Sequence, residues 1–173
     1  WIKQMDSSEH LPNSDEYGEL PFSEQLIVWA VRFWVQALKN ETNVQSELRT
    51  AFKLARAPDG HPALDDLMTI ITVSAQQRID IRCTKCSSIS PDEERIIGAI
   101  AAWQHDYDES HINPYLSAWL PKAAQRVAQT PIKQLSCALS KAGLRLRLRK
   151  PVKVEAARTI SEVNGENYIG PRH

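Results

Sequence analysis

Residues 22–39 read FSEQLIVWAVRFWVQALK, apolar without a break from Leu26 to Val31 and again at Phe33, Trp34, Val35, Ala37 and Leu38. Gln25, Arg32, Gln36 and Lys39 fall at helical spacing on one narrow stripe. A helix that is apolar over most of its circumference has to be buried over most of it. The stretch therefore predicts the central helix of a mainly α, single-domain bundle of about six helices, with shorter helices laid around it and only the Gln25–Arg32–Gln36 edge in water.

Working outward, residues 1–20 form an acidic arm, with Asp6, Glu9, Asp15, Glu16 and Glu19 against Lys3. Residues 21–150 form the helical domain and 151–173 a tail. Pro21 suits the first turn of the central helix, where a missing N–H costs nothing. Thr42 with Gln45 reads as a capping box for a second helix running to about Arg56, and a third is expected from Pro62 to about Ala75. At Ile79, Ile81 and Cys83 the apolar period changes to two, predicting a short extended segment. Ser90-Pro91-Asp92-Glu93 joins a capping Ser, a Pro at the first helical position and a Glu at the third, a clear start for a fourth helix. A fifth is expected from Asn113-Pro114 and a sixth from Thr130-Pro131, closed by Gly143. Leu144, Leu146 and Leu148 then alternate with Arg145, Arg147 and Arg149, which reads as a strand that could pair with Ile79–Cys83. Asn164-Gly165 is a candidate hairpin turn in the tail.

At 173 residues and 42% apolar content the chain can bury one sizeable core. Its formal net charge is zero, so no long-range field gathers nucleic acid or an anionic membrane, and the charge is concentrated toward the ends. No apolar run reaches the roughly 20 residues that span a bilayer, because Arg32 interrupts the best one. Three cysteines are an odd number for a secreted disulfide framework, and a cytoplasmic, reducing setting is the simpler expectation. No basic region precedes an apolar segment near Trp1, so no secretory signal is expected within these residues.

Three features could carry chemistry. Cys83-Thr84-Lys85-Cys86 supplies half of the four ligands a structural zinc needs, with Cys137 and His61 as candidates to complete it. A fourth helix about 20 Å long would carry His105 away from the two cysteines. The same CxxC could be a redox pair, or simply a core cysteine with an incidental thiol beside it. Arg145, Arg147 and Arg149, with Lys150 and Lys153, form a basic strip for a partner or anion; guanidinium groups about 6–7 Å apart suit phosphates, but no aromatic stands among them to stack on a base. The loop His105–His111, with Asp106 and Asp108, offers oxygen and imidazole ligands without a calcium-loop pattern.

No phosphate-binding Gly-rich loop or nucleophile elbow is present. The expectation is a non-enzymatic interaction or adaptor domain without a cofactor, meeting a protein partner or a second copy of itself through the acidic arm and the basic strand. The alternatives are a nucleic-acid-binding regulator using the arginines and a zinc protein using the CxxC.

Overall fold

The computed structural model describes residues 16–105, 108–150 and 167–169. A 3₁₀ turn, Tyr17–Glu19, leads into α1 (Phe22–Asn40), followed by α2 (Gln45–Leu54), α3 (Gly60–Ser74), β1 (Ile79–Ile81), α4 (Pro91–Gln104), α5 (Glu109–Leu116), α6 (Lys122–Lys141) and β2 (Asn167–Ile169). Among the described residues the fold is a mainly α bundle of six helices, as the sequence predicts. Among the described residues no helix is long and apolar enough to cross a membrane.

Helix α1 is buried along Ile27, Val28, Val31 and Val35. It shares the centre with α4, where only Pro91, Glu94 and Trp103 escape burial. The start of α4 is the expected capping box: Glu93 N–H donates to Ser90 Oγ at 3.0 Å and Ser90 N–H donates back to Glu93 Oε2 at 2.8 Å. Gly98 lets α4 approach α5 closely, because a Cβ there would overlap the buried Tyr115 ring.

Several expectations change. Helix α2 begins at Gln45 without the capping box; Asn43 Oδ1 accepts the Gln45 N–H instead, at 3.0 Å. Helix α5 begins before Asn113 because Asp108 caps it, accepting from Ser110 N–H at 2.9 Å. Thr130-Pro131 does not start a helix but lies inside α6. Ala124, Ala128, Ile132, Leu135 and Leu139 hold α6 buried on both sides of that proline, and this burial offsets the hydrogen bond it removes.

The predicted pairing of Ile79–Cys83 with Leu144–Arg149 is also wrong. β1 pairs antiparallel with β2, in the register Ile79 to Ile169, Asp80 to Tyr168 and Ile81 to Asn167. The candidate hairpin about Asn164-Gly165 lies outside the described residues. Residues 144–150 join no sheet; side chains of the helices satisfy their backbone instead. Ser23 Oγ donates to Arg145 O at 2.6 Å, Gln104 Nε2 to Leu144 O at 2.8 Å, and Leu146 N–H to Gln104 Oε1 at 2.8 Å. Buried backbone groups need partners, and these side chains supply what a neighbouring strand otherwise would.

Candidate interaction site

The arginines of the basic strip do not all face outward. Glu24, in the first turn of α1, has no exposed side-chain surface, and it faces Arg147 Nη2 at 2.9 Å and Arg149 Nη2 at 2.7 Å. Arg147 N–H and Nε donate to its other oxygen at 2.8 and 3.0 Å. Burial disfavours the Glu24 charge, but the hydrogen bonds from Arg147 and Arg149 outweigh it and hold its carboxyl below the usual value. Arg145 Nη1 donates to Gln104 O at 2.6 Å. The alternation of Leu and Arg thus reflects a strap across the helices, in which an arginine on the nominally outer face reaches round to a buried acid. Lys150 is exposed, and Lys153 lies outside the described residues.

Arg32, expected on the wet edge of α1, is 1% exposed. Its Nε and Nη2 donate to the two carboxylate oxygens of Glu93 at 2.7 and 3.0 Å, while Nη1 reaches Cys86 O at 2.7 Å and Nη2 also reaches Ser88 O at 2.8 Å. The planar fork of a guanidinium suits this geometry, filling the bidentate carboxylate and two carbonyls at once. Arg32 thereby fastens the 83–88 loop to the central helix.

Within that loop Cys83 and Cys86 are joined in a disulfide, across a turn in which Cys86 N–H donates to Cys83 O at 3.1 Å. Bonded sulfurs are not thiolates, the form zinc requires. The structure brings Cys83 and Cys86 together but not the other two candidate ligands. Cys137 is exposed on α6, and His61 stands on α3 with its Nε2 at 2.6 Å from Gln45 Oε1. Among the described residues no three His, Cys, Asp or Glu are grouped so as to hold a metal ion. Gln45 Nε2 and Trp34 Nε1 both donate to Asp65 Oδ1, at 2.8 and 2.7 Å, beside a cleft of about 260 Å³. Burial pushes the His61 imidazole down, against the raising effect of Asp65.

In the 105–111 loop, His105 Nε2 lies 3.1 Å from Leu146 O. Asp108 is occupied as the α5 cap and by His111 at 2.9 Å; its hydrogen bonds from Ser110 and His111 hold it at about 2. Asp106 lies outside the described residues.

The surface that stands out is one the sequence reading did not single out. Phe22 is 62% exposed at the start of α1 and Leu54 79% exposed at the end of α2. Between them lies a groove of about 390 Å³, walled by Tyr17, Leu26, Trp29, Ala51 and Ala55, with Gln25 as its polar member. Trp29 is half-buried and stacks on Phe33 with ring centroids 5.1 Å apart. Phe22, Gln25, Trp29, Phe33 and Gln36 follow one another at helical spacing, so the outward stripe of α1 passes through aromatics rather than through Arg32. The chain matches no protein-family model, no curated protein and no solved structure.

Proposed function

We propose that this chain is a non-enzymatic protein-interaction or adaptor module that receives the apolar face of a partner's amphipathic helix in the groove between α1 and α2. The observation that carries the reading is the pair Phe22 and Leu54, 62% and 79% exposed, flanking an apolar cleft of about 390 Å³. Large apolar side chains grouped at the mouth of a concave surface are characteristic of contact sites, whereas singly scattered ones need no explanation. Half-buried Trp29 adds a wide, stiff ring of the kind that anchors interfaces. Helices dock in such grooves with anchors at i, i+3, i+4 and i+7.

A cytoplasmic setting belongs to this reading, in keeping with the exposed Cys137 thiol, while the Cys83–Cys86 disulfide is of a kind commoner in oxidising compartments. The acidic arm could contribute only through residues up to Leu20, of which 1–15 are not described. Nucleic-acid binding through Arg145, Arg147, Arg149 and Lys150 ranks second. Glu24 carries one negative charge against the two arginines it binds, which leaves the strap net basic, but it also engages the guanidinium groups that would meet phosphate.

The test is a titration of a fluorescein-labelled amphipathic helical peptide, with Leu and Phe at helical spacing, against the wild-type chain and a Phe22→Ser/Leu54→Ser variant. Saturable binding weakened at least about tenfold, the loss of one anchor's worth of contact, with an unchanged melting temperature, supports the reading. Peptide binding indifferent to both substitutions overturns it. Salt-sensitive retention of DNA or RNA, lost on replacing Arg145 and Arg147, would favour the second reading.

A further inference from the structure

We infer that thiol–disulfide exchange at Cys83–Cys86 regulates the apolar groove, with Tyr17 as the moving part; the inference rests on the groove being a contact site. The three backbone carbonyls that begin at Cys86 all hold something in place. Cys86 O accepts from Arg32 Nη1 at 2.7 Å, Ser87 O accepts from Tyr17 N–H at 2.5 Å, and Ser88 O accepts from Arg32 Nη2 at 2.8 Å. Glu16 makes an isolated antiparallel bridge with Ser88. The Tyr17 ring lies over the Arg32 guanidinium, 5.4 Å from Cζ to ring centroid, its hydroxyl donates to Gln25 O at 3.4 Å, and the residue lines the groove. One hydrogen bond and one covalent step therefore connect the second cysteine to a wall of the groove.

The disulfide closes a four-residue turn, Cys83–Cys86, that ends at the first of these carbonyls. Both cysteines are partly exposed and Lys85 between them is exposed, which leaves the bond open to attack. Disulfides that form in the cytoplasm are usually transient and redox-sensing rather than structural. The reductant is a dithiol. Its thiolate attacks one sulfur of the pair, the Cys83–Cys86 bond breaks and a mixed disulfide forms. The reagent's second thiol then displaces the protein sulfur, giving two protein thiols and one oxidised reagent, with two electrons and two protons transferred. Once the turn is opened, the Ser87 carbonyl is held only through the Arg32 contacts to Cys86 O and Ser88 O, so the Tyr17 anchor loosens and with it one wall of the groove. Binding to the oxidised form is favoured by whatever the ordered wall contributes.

The experiment uses the full chain carrying Cys137→Ser, in EDTA, with thiols counted before and after dithiothreitol. Two readouts are taken on the oxidised protein, on the reduced protein and on a Cys83→Ser/Cys86→Ser variant: amide exchange at Tyr17, and affinity for the labelled amphipathic peptide. Reduction should speed Tyr17 exchange and weaken peptide binding about fivefold, the low end of ordinary coupling between sites, and the double variant should match the reduced form. Equal Tyr17 exchange in the oxidised and reduced forms overturns the inference, and wild-type protein with reductant alone decides this even if the double variant does not fold. Faster exchange without any peptide binding to the oxidised protein would instead sink the groove reading, since the exchange measurement does not depend on it. Faster exchange with unchanged peptide affinity overturns the link between them.

Discussion

Arg32 and Glu93, 61 positions apart in sequence and each 1% exposed, form a bidentate pair in which Nε lies 2.7 Å from Oε1 and Nη2 lies 3.0 Å from Oε2. Glu93 also accepts the N–H groups of Ser90 and Arg82, at 2.8 and 3.1 Å. One carboxylate thus caps α4, receives the backbone just after β1 and fixes α1, so the central helix, the strand and the disulfide loop share a single electrostatic centre.

Replacing Arg32 by Met strands the Glu93 charge in the interior, and unfolding in denaturant should show a loss of about 3–5 kcal/mol. Adding Glu93→Leu removes the stranded charge and should restore part of that loss, because a buried pair replaced by apolar groups is far less costly than half a pair. A double variant as unstable as the sum of the two single ones would show that the two residues do not act as a pair.

That pairing also marks where the sequence could be read and where it could not. The helix class, the central apolar stretch and the Ser90–Glu93 start are written in local spacing, and each recurs in the structure. Sequence alone puts Arg32 in water because a lone charge on an apolar helix is usually solvated, and nothing local names a partner 61 residues away. The basic strip reads as a strand for the same reason: its period of two is that of a strand, while Arg147 and Arg149 answer Glu24 more than 120 positions earlier. The groove stayed hidden because a helix apolar all round does not say which of its aromatics remain uncovered. A stripe of Phe22, Gln25, Trp29, Phe33 and Gln36, in which polar and aromatic residues share one edge, was the signal available.

The Glu24 strap should give the protein an acid-sensitive component. Its folded carboxyl titrates below the unfolded value of about 4.3. The stabilisation from the ionised group is thus present above that pH and is lost as pH falls through the folded value. Glu24→Gln should therefore lower the melting temperature at pH 7, and the difference from wild type should shrink as pH drops below about 4. A constant difference from pH 7 to pH 3 would show that the Glu24 charge plays no part.

Gly98 tests the contact between α4 and α5. A methyl group there overlaps Tyr115, a buried ring whose hydroxyl donates to Arg149 O and so cannot turn away without releasing the strap. Gly98→Ala should cost about 1–3 kcal/mol despite the better helix propensity of Ala. Gly18→Ala, where nothing lies within 4 Å, should change stability little by comparison. Equal effects on thermal melting would contradict the close packing at Gly98.

The central claim, that the groove beside Trp29 receives a partner's apolar helix, is tested most directly by the tryptophan indole N–H resonances during titration with the amphipathic peptide. Trp34, Trp103 and Trp119 donate to Asp65, Gln129 and Asp92, at 2.7, 3.3 and 3.0 Å, and none of them lines the groove. The account predicts a saturable shift at the Trp29 indole while those three stay in place. A Trp29 signal that does not move while the peptide binds, or shifts confined to Trp34, Trp103 or Trp119, would contradict it.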